Sequence, residues 1–300
     1  MGDFRVITDG SADLPEEIIA ARDILVVPFY VMLGEGDYLR QGDDISTPEF
    51  YNWMVANPTK FPKSSAPSAE DYLEAFTKSA AAGEKIICIC ITRKFSSSIQ
   101  SAMIARQMLL DEYPDASVTV MDSTVNTVLQ GQVVLEACDL RDAGVPYETA
   151  VARLEEIKSS GRIFFTIGGM EYLSVGGRIG KLAGKVSSIL NIKPIITLKE
   201  GEIHASGVAR GRVKSLEKVL SIAREYLAEN FTHADELSIA VGYGYDYAEA
   251  VSFRDKVALM LDSLRLSTEI PIRMIGAVIG VHTGPRPLGV GILKRSCKAG

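Results

Sequence analysis

Cysteine is scarce in this 300-residue chain, with four, at positions 88, 90, 138 and 297. That density, without regular spacing, excludes a disulfide framework. Cys88 and Cys90 sit two apart in an apolar strand pattern, so they share a face and cannot readily pair. The thiols read as buried, in a reducing cytoplasm. Histidine is scarcer still: His204, His233 and His282 are the three, too isolated for a metal site. No G-x-S-x-G elbow, P-loop, G-x-G-x-x-G or H-E-x-x-H is present. The usual signatures of a nucleotide-binding enzyme or a metalloprotease are therefore missing, and no cofactor is expected. Long hydrophobic runs are lacking too. The run at residues 86–91 falls far short of the roughly 20 residues that a membrane span needs. After Asp3 and Arg5 the chain goes directly into a strand-like run, which reads as no signal peptide. Nor is there a basic surplus. Lysine and arginine number 32 against 38 acidic residues, a formal charge of −6. Such a chain has no general pull on phosphate backbones or anionic membranes, so nucleic acid is not an expected partner.

What is present is ordinary for a folded protein: 47% apolar and 23% charged residues. The length predicts two domains, since single ones usually run to about 100–200 residues. Residues 4–8, 24–32, 85–91 and 117–121 read as strands, and 15–22, 48–55, 69–80 and 97–113 as helices. That alternation argues for βα units around a mostly parallel sheet flanked by helices. Beyond residue 160 the pattern changes. Residues 164–167 are strand-like, 170–175 follow, and 176–184 are rich in glycine. Residues 192–198 and 203–207 flank Glu200-Gly201, which predicts a hairpin. Helices at 213–228 and 247–264 alternate with strands at 237–243, 274–281 and 290–294. The fold class expected is α/β, with an N-terminal domain over 1–160 and an α+β domain over 161–300.

The chemistry lies in hydroxyl groups at element boundaries. Ser64-Ser65-Ala66-Pro67-Ser68 precedes a helix, with Ser68 and Asp71 spaced as a capping box. Thr92 to Ser98 follows a strand and opens a long helix, whose free N–H groups and dipole suit a carboxylate or phosphate. Spacing alone favours simple capping for both segments and leaves ligand binding open. Asp122-Ser123-Thr124 reads first as a cap. Gly176-Gly177-Arg178 could set Arg178 against an anion or form a surface turn. His282, after an apolar strand and beside Gly284-Pro285, could be structural or could donate to a carboxylate. Arg210 and Arg212 read most simply as a solvated basic face.

These segments, in this order, resemble the DegV family nearly end to end. Thr8-Asp9-Gly10-Ser11-Ala12-Asp13-Leu14-Pro15 resembles its opening T-D-S-T-x-D-L-P, and Ser64 to Ser68 its T-S-Q-P-S. Phe95 to Ala102 resembles L-S-G-T-Y-Q-S-A, and Met121-Asp122-Ser123 its x-D-S turn. Tyr172-Leu173, Gly176-Gly177-Arg178-Ile179, Ile192-Lys193-Pro194 and His282-Thr283-Gly284-Pro285 follow in family order. Each match alone is weak; together they are specific. Four departures stand out: Ser64 for Thr, Ser97 for Gly, Gly10 for Ser, and Arg286 where Gly is usual. Ser97 can serve only if its backbone needs no positive φ.

The resemblance implies a protein that holds a long-chain fatty acid in an apolar tunnel between two domains. It implies that Ser64, Ser96, the N–H of Ser97 and His282 bind the carboxylate, with Arg178 and Ser65 behind them. It also implies a separate ATP-dependent fatty-acid kinase, docked at Arg210, that makes an acyl phosphate for a membrane acyltransferase. The chain would then be a carrier and not an enzyme. The competing expectation is a serine hydrolase or acyltransferase using Ser96 or Ser64 with His282 as base. That chemistry needs a third group to orient the histidine, and an oxyanion hole.

Overall fold

The computed structural model describes residues 4–180 and 191–296. Four strands form the parallel sheet: β1 (Phe4–Asp9), β2 (Ile24–Val27), β6 (Lys85–Cys90) and β7 (Val118–Asp122), in the order β2-β1-β6-β7. Central β6, Lys-Ile-Ile-Cys-Ile-Cys, is buried on both faces, which is why it reads as a continuous apolar run. Helices α1 (Glu16–Ala21), α3 (Ala69–Ala81) and α4 (Ser98–Glu112) connect these strands. Ser68 and Asp71 do form the capping box that starts α3, as their spacing predicted. From α3, Tyr72 and Phe76 point one turn apart into the core under the sheet.

A six-stranded sheet holds most of the remainder. It comprises β8 (Arg162–Thr166), β9 (Ile192–Lys199), β10 (Glu202–Arg210), β11 (Leu237–Tyr243), β12 (Ile272–Met274) and β13 (Leu288–Lys294). The order is β10-β9-β8-β13-β11-β12, antiparallel except between β11 and β12. The predicted hairpin at Glu200-Gly201 joins β9 to β10. Helices α8 (Arg212–Asn230) and α9 (Tyr247–Leu264) cover this sheet with the apolar side chains of their inner faces.

Two sequence expectations change here. Residues 24–32 are two strands, not one: Pro28 has no N–H for the ladder and breaks the run after β2. The continuation, β3 (Tyr30–Met32), leaves the parallel sheet and pairs antiparallel with β4 (Leu39–Arg40) and β5 (Lys63–Ser65). Of residues 274–281 only Met274 is in a strand, the last residue of β12. After β12 the chain turns at Gly276 into a short helix, α10 (Ala277–Thr283), with the side chain of Gln41 accepting from the N–H of Val278 at 3.1 Å. Helix α10 is buried nearly all round, and a short apolar run without a period does not distinguish helix from strand. His282 therefore lies in the last turn of a helix.

The largest omission is the segment between the sheets, where α5 (Thr127–Asp142) and α6 (Tyr147–Lys158) fold. Almost every residue of α5 is buried, since it touches both sheets. Gln130 donates to Asp9 of β1 at 2.8 Å, and Gln132 donates to the Ile239 carbonyl of β11 at 3.1 Å. A helix packed on two sides carries no amphipathic stripe, so periodicity cannot announce it. Cys88, Cys90 and Cys138 are buried free thiols; Cys297 and residues 181–184 of the glycine-rich stretch lie outside the described residues. Among the described residues no helix is long and apolar enough to cross a membrane.

Candidate functional site

The carboxyl ends of parallel strands are where ligands of open α/β sheets usually sit. A cavity of about 270 Å³ opens there, walled on one side by β5 and by the segments following β2 and β6. Its other walls come from β8, the β9–β10 hairpin and α10. Phe29, Ile91, Phe95, Phe165, Ile203 and Ile279 make most of it apolar. The two halves of the chain thus share one cavity.

Ser64, Ser65, Ser96, Ser97, Arg178 and His282 all line this cavity; Arg210 does not. Contacts tie most of the polar set together. The hydroxyl Oγ of Ser64, on β5, lies 3.2 Å from Nε2 of His282. The His282 ring in turn lies against Gly176, where a Cβ would come within 2.2 Å of Nδ1. Two residues on, Arg178 donates from Nη1 to the Gly176 carbonyl at 2.8 Å and from Nε to the Phe95 carbonyl at 3.0 Å. Phe95 adjoins Ser96, whose Oγ accepts the N–H of Ser98 at 3.1 Å and keeps its own O–H free to donate. Ser97 has φ −81°, so the serine sits without strain where the family has glycine. Ser65 is exposed, and its side chain reaches no farther than the Ala66 carbonyl at 3.5 Å.

Electrostatically the site favours a neutral imidazole. Burial, reinforced by the charge of Arg178, pushes the His282 pKa down to about 4. Among the described residues, the buried Nδ1 of His282 finds no hydrogen-bond partner. No carboxylate among the described residues orients that ring, as a catalytic triad would require. Among the described residues no cluster of His, Cys, Asp and Glu could hold a metal ion.

Directly beneath the site lies a network that composition and spacing did not disclose. Asp9, at the end of β1, is fully buried, and its hydrogen-bond partners among the described residues are all uncharged. Its Oδ2 accepts from Ser98 Oγ at 2.7 Å and from the Ile91 N–H at 3.0 Å, and Oδ1 from Ser11 Oγ and Gln130 Nε2, both at 2.8 Å. Tyr72 adds its hydroxyl 2.6 Å from Ser98 Oγ. Burial drives the Tyr72 phenol and the neighbouring Cys90 thiol well above their ordinary pKa values, so both stay neutral. The network locks the start of α4, and therefore Ser96 and Ser97, onto β1 and β6. The one sequence signal was an aspartate ending a strand whose other buried positions are mostly apolar.

The remaining expectations fall elsewhere. Asp122-Ser123-Thr124 caps no helix: Asp122 accepts from the Thr124 N–H at 2.8 Å and from Arg93 Nε at 2.8 Å, bracing the loop after β6. Arg210 is exposed at the end of the edge strand β10, opposite Ile192. Arg212 is not a free basic face, since it forms a two-pronged ion pair with Glu249 at 2.6 and 2.8 Å. Arg286 fits its loop, its carbonyl accepting from Arg212 at 3.1 Å.

Fold and site together define a mixed α/β protein with an apolar chamber and a polar cluster suited to an amphipathic ligand. The chain belongs to the DegV family, whose model, described as an uncharacterised protein family, matches residues 3–295. A DegV domain-containing protein of Clostridium acetobutylicum is 30% identical, covering 98% of this chain and 100% of its own. Among solved structures, a stearic acid-binding protein from Eubacterium ventriosum is similar, with 37% identity, TM-score 0.90, and coverage of 98% of this chain and 99% of that one. A fatty-acid-binding DegV family protein from Thermus thermophilus shares 31% identity at TM-score 0.86, over 97% and 99% of the two chains.

Proposed function

We propose that this protein binds a long-chain fatty acid, its chain in the apolar cavity and its carboxylate at Ser64, Ser96, the Ser97 N–H and His282. The single observation that carries the reading is the joining of Ser64, His282, Gly176, Arg178 and Phe95-Ser96 into one polar wall of a mainly apolar chamber. The fatty-acid binding of the similar structures supports it. So does the energetics: about 0.8 kcal/mol per buried CH₂ gives a gross gain on the order of 10 kcal/mol for a long chain. The chamber can then supply affinity while the polar groups orient the head. Serine O–H groups and the N–H of Ser97 donate to a carboxylate without requiring a second ion, and a neutral His282 can donate from Nε2.

On this reading the chain is a two-domain carrier, divided near residue 160, with no chemistry of its own. It presents the carboxylate to an ATP-dependent kinase docked at Arg210 in the cytoplasm, and the acyl phosphate passes to a membrane acyltransferase. The hydrolase alternative draws on the Ser64–His282 contact, but the orphaned Nδ1 and the low basicity of His282 weigh against it. Native mass spectrometry and solvent extraction of the purified protein test the reading. A co-purified fatty acid is expected; failure to bind any fatty acid, even when added, overturns it.

A further inference from the structure

Beyond the main cavity lies a second void of about 40 Å³, on the side away from Ser64, Ser96 and His282, none of which line it. Four residues, Asn126, Phe165, Ile279 and Thr283, belong to the walls of both spaces. The void has a simple origin in the sheet. Gly242 of β11 pairs with Gly289 of β13, and Gly289 pairs with Phe165 of β8, so the three lie in one row across the strands. Cross-strand partners project to the same face. At Gly289 the backbone of β8 lies too close for a side chain, a Cβ there standing 2.4 Å from that of Phe165, so the row is left open at Gly242, beside the Phe165 ring. Val128 of α5 and Ile275 close the far side: a Cβ on Gly242 would stand 3.2 Å from both Val128 methyls and 3.4 Å from Ile275 Cδ1.

We propose that Gly242 and Val128 form the stop that sets the longest acyl chain this protein takes, the chain end passing Phe165 and Ile279 into this void. The inference rests on the fatty-acid reading above. Its physical basis is that the surroundings are mainly hydrocarbon (Val128, Ile163, Ile275, Leu288), so water gains little by filling them and a terminal methyl gains much. Each methylene admitted or refused changes affinity about four-fold. Gly242 is not at a positive φ, so alanine there meets only crowding and not backbone strain.

The test measures affinities for a homologous series of saturated fatty acids with the full-length protein and four variants. Gly242→Ala and Gly242→Val fill the void, and should move the preferred length down by one carbon or more, the loss growing about four-fold per excess methylene. Val128→Ala enlarges it and should move the preference up. Ser96→Ala should lower affinity at every length by one common factor. Thermal melts identify any variant that fails to fold, and the opposite-sign Val128 variant keeps the test alive if the Gly242 variants do. Wild-type binding with length profiles unmoved by the Gly242 and Val128 changes overturns the stop while leaving fatty-acid binding intact. No binding by wild type at any length overturns the function itself.

Discussion

Nε2 of His282 faces Ser64 Oγ at 3.2 Å, while its other ring nitrogen is sealed against Gly176 with no partner among the described residues. The ring is thus offered to the cavity by one atom only. As a hydrogen-bond donor to a carboxylate it can be partly replaced: His282→Asn should retain part of the fatty-acid affinity, and His282→Ala should lose about ten-fold or more. Neither variant nor wild type should hydrolyse acyl esters. Ester turnover by wild type that vanishes in both variants would establish the hydrolase instead, since asparagine cannot act as a base.

Gly176 makes that arrangement possible. Its φ is ordinary, but the backbone approaches so closely that a Cβ would come within 2.2 Å of the imidazole and 3.0 Å of the Tyr172 carbonyl. Gly176→Ala should destabilise the protein by roughly 1–3 kcal/mol through overpacking. It should also displace His282 and weaken ligand binding. Chemical denaturation and a displacement assay measure the two effects, and full retention of both would show that the ring has room to move.

Ser96 offers the cavity a free hydroxyl hydrogen, its oxygen being engaged by the Ser98 N–H. Removing a hydrogen bond to a charged acceptor costs roughly 1.5–3 kcal/mol. Ser96→Ala is therefore expected to weaken fatty-acid binding about ten- to hundred-fold, read by fluorescent-ligand displacement. Unchanged affinity would remove Ser96 from the head-group site.

Two buried groups tilt stability in opposite directions with pH. Asp13 lies against Gly276 at the start of α10, accepting from Thr127 Oγ1 at 2.6 Å, and burial raises its pKa from 3.8 to about 7. The folded state then holds the Asp13 proton more tightly, so its contribution is full below pH 3.8 and is lost as pH rises towards 7. His282 does the reverse: its contribution is full above pH 6.5 and is lost as pH falls towards 4. Denaturation of the ligand-free protein across this range should show Asp13→Asn with a steeper rise in stability with pH than wild type. His282→Asn should show the opposite slope change. Parallel curves for all three proteins would contradict both shifts.

Arg210 stands outside the cavity on an exposed edge strand. Arg210→Ala should leave fatty-acid affinity within two-fold of wild type while lowering acyl-phosphate formation in a reconstituted kinase assay. Loss of ligand binding would place Arg210 in the ligand's path and refute the docking role.

Much of this protein was written locally. The capping box at Ser68 and Asp71, the hairpin at Glu200-Gly201 and the apolar run of β6 are each set by a few consecutive residues, and the sequence predicts all three. The segments bearing Ser64, Ser96, Arg178 and His282 were legible as well, because their order along the chain matches one family. What only the tertiary structure decided has a common cause. Helices α5 and α10 are buried on more than one side, so their side chains follow no helical period, and only the partners around them fix their form. The Asp9 network joins β1, β6, α3, α4 and α5 through residues up to 121 positions apart. The contact between Ser64 and His282 spans 218 positions. Sequence determines which groups can donate, accept or pack; which of them meet depends on where two sheets and the helix between them come to rest.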